Sequence, residues 1–225
     1  MDFDKVFAFF SEDDDWAKKV GIAAILILTQ IGSIAVMGWT AEIAKRIAYN
    51  QPDPIPKWDD IGDYFITGFK LIGVSLIWFL PAALLVICQA SMMIFALQEG
   101  ESLAALLTAS SVFVYLLVFI YIIAGGLLFS PLYVLAGERL VFNQLIKPVP
   151  AWKMFRANVG GYIIAILVGT LLSIVLVSTG LLVCFVGTFF GAALGFTFLG
   201  ILIGQATGRA HEVLSLVPEN QPETM

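Results

Sequence analysis

The chain has 225 residues, of which 60% are hydrophobic and 13% are charged, and its formal net charge is −5. Soluble domains carry about 25% charged residues, so a soluble globule of this length could not bury so much apolar surface. The acidic excess argues against nucleic acid as a partner, because nucleic-acid-binding faces are basic. The composition therefore predicts one all-α membrane domain over residues 1–225, a polytopic helical bundle in the cell (inner or cytoplasmic) membrane among its lipids.

Residues 1–15 predict an amphipathic segment at the membrane surface. They are acidic, whereas a cleaved secretory signal begins with basic residues. Phe3, Val6, Phe7 and Phe10 follow the i, i+3, i+4, i+7 spacing of one helical face. We expect this face either to lie in the interface between bilayer and water or to pack on the protein's own bundle.

Three apolar segments follow in chain order, Val20–Trp39, Gly68–Leu97 and Leu103–Phe129. Each is close to or longer than the roughly 20 residues that a helix needs to cross a bilayer. Pro81 lies inside the second segment and Pro131 directly follows the third. Because proline removes a backbone hydrogen bond, we expect Pro81 to kink its helix and Pro131 to interrupt the run, so both positions are predicted helix breaks.

The last apolar stretch, Gly161–Gly204, is roughly twice as long as one crossing requires. It therefore predicts a hairpin, with its turn between Ser178 and Gly187. The chain then has about five spans, the last of them a final helix over 181–208, followed by a polar tail over 209–225.

Lysine and arginine predict the orientation, because cytoplasmic loops are rich in both. Both long loops and the C-terminus hold basic residues, so we expect them in the cytoplasm, and five spans would place the N-terminus outside. Lys18 and Lys19 do not suit an outer position. The alternative is a first segment that turns back as two half-helices near Gln30–Ser33, which returns the N-terminus to the cytoplasm.

The two long loops are similar in sequence: RIAYNQPDPIPKW at 46–58 matches RLVFNQLIKPVPAW at 139–152 with one inserted residue. Each copy follows one span and precedes another. This predicts a tandem, parallel repeat of a helical hairpin over 20–97 and 103–180. We interpret each loop as a stiff corner, with Pro-x-Pro extended and tryptophan at the headgroup level. The identical loop positions are Arg46, Asn50, Gln51, Pro54, Pro56 and Trp58 in the first copy and Arg139, Asn143, Gln144, Pro148, Pro150 and Trp152 in the second.

The two corners differ in charge. Acidic residues follow the first tryptophan and basic residues follow the second. One hypothesis is an ion-pair contact between the repeats; the alternative is two solvated faces that never meet. The residues concerned are Asp59, Asp60 and Asp63 in the first copy and Lys153 and Arg156 in the second.

Glycines recur every fourth residue in the last hairpin, a pattern that lets helices approach closely. They serve either packing inside the chain or contact with a partner chain, another subunit or a second copy. The two ridges are Gly187, Gly191 and Gly195, and Gly200, Gly204 and Gly208.

Several motifs resemble an uncharacterised prokaryotic family of multi-pass membrane proteins, domain of unknown function 4013. They are the D-W-x-K-K before the first segment, the P-K-W-D-D-I-G-D-Y-F-I-T-G-F-K over 56–70, and L-P-A inside the second segment. C-F-V-G-T-F-F and I-G-Q near the end also fit. The resemblance implies a helical membrane protein and no assigned activity, so it implies no catalytic residue.

The residues indicate no enzyme, cofactor or metal site. The single histidine, His211, lies beside Glu212, and Cys88 and Cys184 lie in apolar runs where thiols behave as small hydrophobes. Charged residues inside a span are the usual mark of an ion path, and the spans here hold essentially none. We therefore expect an interaction, scaffold or accessory subunit of a membrane assembly. The alternative is a transporter or channel-like protein for a neutral or apolar solute or lipid.

Overall fold

The computed structural model describes residues 7, 13–99, 101–138 and 140–216, and every element in these ranges is helical. Of the predicted surface segment, they include only Phe7 and residues 13–15; Arg139 and the tail beyond residue 216 also lie outside them. Phe7 packs edge-on against Phe198 with ring centroids 5.4 Å apart. At this residue, the contact is with the protein's own bundle.

The helices follow one another with short connections. In chain order they are α1 Trp16–Leu28, α2 Gly32–Ala48, a 3-10 turn Trp58–Asp60, α3 Ile61–Glu99, α4 Glu101–Gly137, α5 Phe142–Leu145, α6 Pro148–Ala157, α7 Val159–Val183 and α8 Phe185–Leu216.

Within the described ranges, four helices, α3, α4, α7 and α8, are long and apolar enough to cross a membrane. This confirms the prediction of a polytopic all-α membrane protein. The predicted hairpin in the last apolar stretch is present, since α7 ends at Val183 and α8 begins at Phe185. The turn at Cys184 falls between Ser178 and Gly187, as the sequence predicts.

The first apolar segment is a helical hairpin instead of one continuous span. α1 ends at Leu28, and α2 begins at Gly32 and runs back antiparallel to it. The turn is tight, because a Cβ on Gly32 would overlap the backbone of Leu26. Lys19, at the start of α1, contacts the carbonyl of Ile55 beyond the end of α2. Both ends of the hairpin therefore lie on the same side, which is the second of the two arrangements that the sequence allows.

This result removes one argument for the repeat. The counterpart of the first segment is α4, which is a single continuous helix, whereas α1 and α2 are separated by a turn. The two copies therefore do not have the same helical structure before their loops. The tandem repeat itself stays a prediction.

The two prolines do not end their helices, so a break at Pro81 or Pro131 is wrong, whereas the kink expected at Pro81 stays a prediction. α3 continues through Pro81 and α4 through Pro131. Proline at position 131 cannot donate to the carbonyl of Leu127, but the Ser130 hydroxyl donates to that oxygen at 2.7 Å. A serine hydroxyl thus replaces the missing donor, as often happens in membrane helices.

α8 is the central helix of the bundle. In its most apolar part, 56% of the residues are buried, against 6% in the corresponding part of α7. α8 packs on α7, α2 and α1. Both glycine ridges lie in these contacts and serve packing inside the chain. The first ridge faces α7, where Gly191 meets the Leu176 carbonyl. The second ridge faces α2. A Cβ atom added to each of its glycines would lie close to a carbonyl oxygen of α2: 3.0 Å for Gly200 and Thr40, 2.6 Å for Gly204 and Ala44, and 3.1 Å for Gly208 and Ala48.

We expect Gly204→Ala to destabilise the protein by about 1–3 kcal/mol, because the new methyl group would meet rigid backbone and force the helices apart. Gly126→Ala is the matched control, since nothing lies within 4 Å of a Cβ at that membrane position. Thermal unfolding in a mild detergent would compare the two variants. Equal midpoints would contradict the close contact between α8 and α2.

Candidate functional site

The first long loop is held by hydrogen bonds to three consecutive carbonyl oxygens, those of Ile55–Lys57. Their donors are Lys19 Nζ at 2.9 Å, Trp39 Nε1 at 3.0 Å and Tyr64 Oη at 2.7 Å. The donors come from α1, α2 and α3. We call residues 49–58 the first corner. Because Pro54 and Pro56 have no N–H and favour extended backbone, the corner cannot satisfy these carbonyls through a helix of its own.

An aromatic stack fixes the same corner. The rings of Trp39 and Trp58 are stacked with centroids 5.0 Å apart, and Tyr64 meets Trp58 edge-on at 5.6 Å. Trp58 Nε1 donates to the Lys19 carbonyl at 2.8 Å. Trp58 therefore packs against Trp39 and Tyr64, and its position at the headgroup level stays a prediction.

The ammonium group of Lys19 is the charged centre of the corner. Lys19 is 9% exposed, and its Nζ lies 2.5 Å from Asp13 Oδ2 as well as on the Ile55 carbonyl. A buried ammonium is stable only with such partners, because desolvation disfavours the charge. Lys19 thus connects the residues before α1, through its ion pair with Asp13, to the loop that follows α2, through its hydrogen bond to Ile55.

The end of α2 stops as the loop sequence predicts. Asn50 has φ of 50°, a left-handed conformation that asparagine tolerates better than most residues. Arg46 donates to Glu42 Oε1 at 3.1 Å and to the Asp53 carbonyl at 3.2 Å. Arg46 therefore joins the last turn of the helix to the loop.

A polar cavity of about 130 Å³ lies beside this helix end. Glu42 carries the nearest ion pairs, with Lys45 Nζ at 2.7 Å and Arg46 Nε at 3.1 Å. Asp60 and Asp63 add two further carboxylates to its lining. Among the described residues, no group of three or more His, Cys, Asp or Glu could hold a metal ion. The lining residues are Gly38, Glu42, Arg46, Asp60, Asp63, Tyr64, Thr67 and Gly137.

The cavity bears on the predicted contact between the two corners. Asp60 and Asp63 lie here, beside Glu42 and Arg46. The helix with Lys153 and Arg156, α6, packs mainly on α4 and α8. The Arg156 guanidinium lies 5.9 Å above the ring of Trp152. The ion-pair contact between the repeats stays a prediction, and these neighbours do not favour it.

The second corner has a different conformation. Pro148 opens α6 and Pro150 lies in its first turn, where proline fits because the N–H has no partner there anyway. Asn143 lies inside the short helix α5. Trp152 is 46% exposed, in contrast to packed Trp58. The prediction of an extended Pro-x-Pro is therefore wrong for this copy.

Side chains from α3 nevertheless hold the second corner by the same kind of bond. Lys70 Nζ donates to the Leu140 carbonyl at 3.3 Å, and Trp78 Nε1 donates to the Ile146 carbonyl at 3.1 Å. In both corners, a lysine and a tryptophan from neighbouring helices satisfy loop carbonyls. α3 contacts both corners, since Tyr64 binds the first.

Tyr49 connects the first corner to the end of α4. Its hydroxyl lies 2.6 Å from Glu138 Oε1, and its ring lies 5.5 Å from the ring of His211 on α8. The pKa of Tyr49 is raised from 10.0 to about 12, chiefly by burial, with the hydrogen bond and the negative charge of Glu138 acting in the same direction.

Sequence reasoning missed the donors of the first corner. Lys19 and Trp39 sit at the two ends of the first apolar segment, and that segment taken as one span would separate them by the whole membrane. Only the hairpin turn brings both to the loop. Tyr64 lies within the 56–70 motif, so its presence beside the prolines was the one available signal.

A family model described as "Protein of unknown function (DUF4013)" matches residues 21–186. The chain belongs to this family. No curated protein and no solved structure matches.

The DUF4013 match covers some residues of the site and not others. It covers Trp39, Ile55–Lys57 and Tyr64, and it ends at the turn between α7 and α8. The corner is therefore mostly a feature of the matched region. Lys19 and nearly all of α8 lie outside it.

We expect Trp39→Phe to lower the free energy of unfolding by about 1–3 kcal/mol, because the carbonyl of buried Pro56 would lose its donor. Trp152→Phe removes an exposed indole from the other corner and should change stability by less than about 0.5 kcal/mol. Thermal unfolding and trypsin cleavage after Lys57 would measure both effects. Faster cleavage in both variants alike would argue against a specific role for Trp39.

We expect the phenol of Tyr49 to ionise near pH 12. Since its pKa is higher in the folded than in the unfolded chain, the stability it contributes is present below pH 10 and is lost as pH rises towards about 12. Tyrosinate absorbance should show this late step in the wild type, and its amplitude should fall by that of one tyrosine in Tyr49→Phe. Glu138→Gln should bring the step to lower pH; an unchanged titration would mean that Glu138 does not act on the phenol.

Proposed function

We propose that this protein is an interaction subunit, a scaffold or accessory component of an assembly in the cell (inner or cytoplasmic) membrane, without catalytic chemistry of its own. The polar groups of the described chain support this proposal, because the lysine, tryptophan and tyrosine donors of both corners are bound to backbone carbonyls. They stabilise the fold and are not arranged around a reacting centre.

The observation that carries the proposal is the exposure of the α3–α4 hairpin. On α4, the five consecutive residues from Phe119 to Ile123 are all at least 42% exposed, as are Tyr115, Leu116 and Leu117. Successive helical residues point about 100° apart, so five in a row cover every direction around the helix. Over this stretch α4 contacts little besides α3, and a transmembrane helix of another subunit could pack on it.

The α3–α4 hairpin also extends farther along the bundle than the α7–α8 hairpin. The contacts of α2 with α8 and with α3 place the α7–α8 turn level with about residue 78 of α3, whereas α3 continues to Glu99. The outer part of the α3–α4 hairpin therefore extends beyond the rest of the described bundle as an apolar arm. In our proposal, this arm binds a partner helix.

The orientation that we propose places both corners in the cytoplasm. The first-segment hairpin puts Lys19 on the same side as the loop that it contacts. All the basic residues that flank the spans can then face the cytoplasm, in agreement with the distribution of lysine and arginine in membrane proteins.

Transport of a neutral or apolar solute or lipid is the second candidate function. The α1–α2 hairpin favours it, because helices that enter a membrane and turn back commonly line a cavity or pathway.

Photo-crosslinking would test the first proposal. Benzoylphenylalanine at Phe119, 60% exposed on α4, should give one protein adduct of defined mass in native membranes. The matched control is Leu171, 62% exposed on α7, which should give none. Purification from native membranes and mass spectrometry would identify the partner. Lipid adducts alone at both positions, with no protein at stoichiometric amount, would contradict an accessory role.

A further inference from the structure

Gln30 lies at the tip of the α1–α2 hairpin, and its backbone has a left-handed conformation that is strained for a residue with a side chain. Its φ is 57°, in the left-handed region that glycine adopts without strain and other residues rarely adopt. A glycine would make the same turn more easily. Strained residues of this kind are concentrated at functional sites, so the glutamine side chain itself is the feature to explain.

The backbone of the tip needs no outside partner. The Thr29 hydroxyl donates to the Leu26 carbonyl at 2.7 Å and accepts from the Gly32 amide at 3.0 Å. The Ser33 amide donates to the Gln30 carbonyl at 3.1 Å, and the Ser33 hydroxyl donates to it as well. Two hydroxyl side chains thus complete the turn. In the described part of the chain, the polar group that remains without a partner here is the carboxamide of Gln30.

The tip lies within the apolar layer of the bundle. Gly200, Gly204 and Gly208 of α8 meet α2 at residues 40, 44 and 48, a constant register that places Gln30 level with about residue 190. Leu26 and Ile27 share a cluster with Phe190, in agreement with this register. The sequence from Phe185 to Gly208 contains no charged residue. Gln30 is therefore exposed at a depth where the neighbouring helix is suited to hydrocarbon.

A carboxamide exposed to lipid tails would lose its hydrogen bonds without compensation, and irregular backbone is tolerated at this depth only beside protein or water. The α3–α4 hairpin continues past the level of the tip, and the α7–α8 turn lies about 9 Å beyond that level along the bundle. We propose that a water-filled vestibule reaches Gln30 from the membrane side opposite the two corners. The Gln30 carboxamide is its hydrogen-bonding group for water and for uncharged polar molecules.

This inference deepens the second candidate function and is independent of a partner on the α3–α4 arm. Crosslinking at Phe119 can fail while the vestibule is present, and the vestibule can be absent while a partner binds. The measurement below therefore separates the two.

Cysteine accessibility tests the vestibule. In a Cys88→Ala, Cys184→Ser background, Gln30→Cys would be exposed to a membrane-impermeant anionic maleimide on each side of the membrane. Leu76→Cys is the matched control, because Leu76 is 67% exposed on α3 at a similar level. Lys57→Cys reports the side of the first corner. Ile31→Cys, 71% exposed beside the tip, is a second probe that leaves the glutamine in place.

We expect Gln30→Cys and Ile31→Cys to react at least roughly tenfold faster than Leu76→Cys, since only a water-exposed thiol forms thiolate readily. The reaction should occur only from the side where Lys57→Cys is protected. Two results would overturn the inference: tip cysteines as unreactive as Leu76→Cys from both sides, or labelling from the same side as Lys57→Cys. Elution as a single folded species in detergent would be required of every variant.

Discussion

The structure depends on one constraint, the need to satisfy the carbonyl oxygens of an extended proline segment. Pro54 and Pro56 keep Ile55–Lys57 out of any helix, so these carbonyls must find donors elsewhere. The donors come from α1, α2 and α3. One short loop therefore fixes three helices relative to one another. The stacked Trp39 and Trp58 rings exclude water from the same point and strengthen each hydrogen bond there.

The position of the α1–α2 hairpin then determines the rest of the bundle. With α2 anchored at the corner, its small residues and exposed carbonyls offer a flat surface to the glycines of α8, which approach to backbone contact. α8 in turn holds α7 through its first glycine ridge. The α3–α4 hairpin joins this core only through its inner half, where Leu71, Val74, Leu132 and Leu135 are buried. Its outer half is left exposed because no other described helix reaches that level.

The two proposed functions concern different parts of this arrangement. An accessory role would use the apolar outside of the α3–α4 arm, where the fold offers area and no chemistry. Transport would use the hairpin tip, where the carboxamide of Gln30 is exposed beside apolar helices. Both features follow from the same cause. A hairpin that stops part-way leaves its own tip uncovered and leaves the longer neighbouring hairpin without a companion helix.

The sequence by itself determined the class of protein, the long apolar helices, the hairpin at the C-terminal end and the family, because each depends on local composition and period. The close packing of the glycine ridges was also visible in their spacing, although not the helix that each would meet. Only the tertiary structure decided between one span and a turned-back pair for the first segment. Hydrophobicity is nearly the same in both arrangements, and the choice depends on Lys19 and Trp39 reaching a loop up to 36 residues away. The same limit applies to the two Pro-x-Pro corners: similar residues became an extended loop in one copy and the start of α6 in the other, because different helices supplied their neighbours.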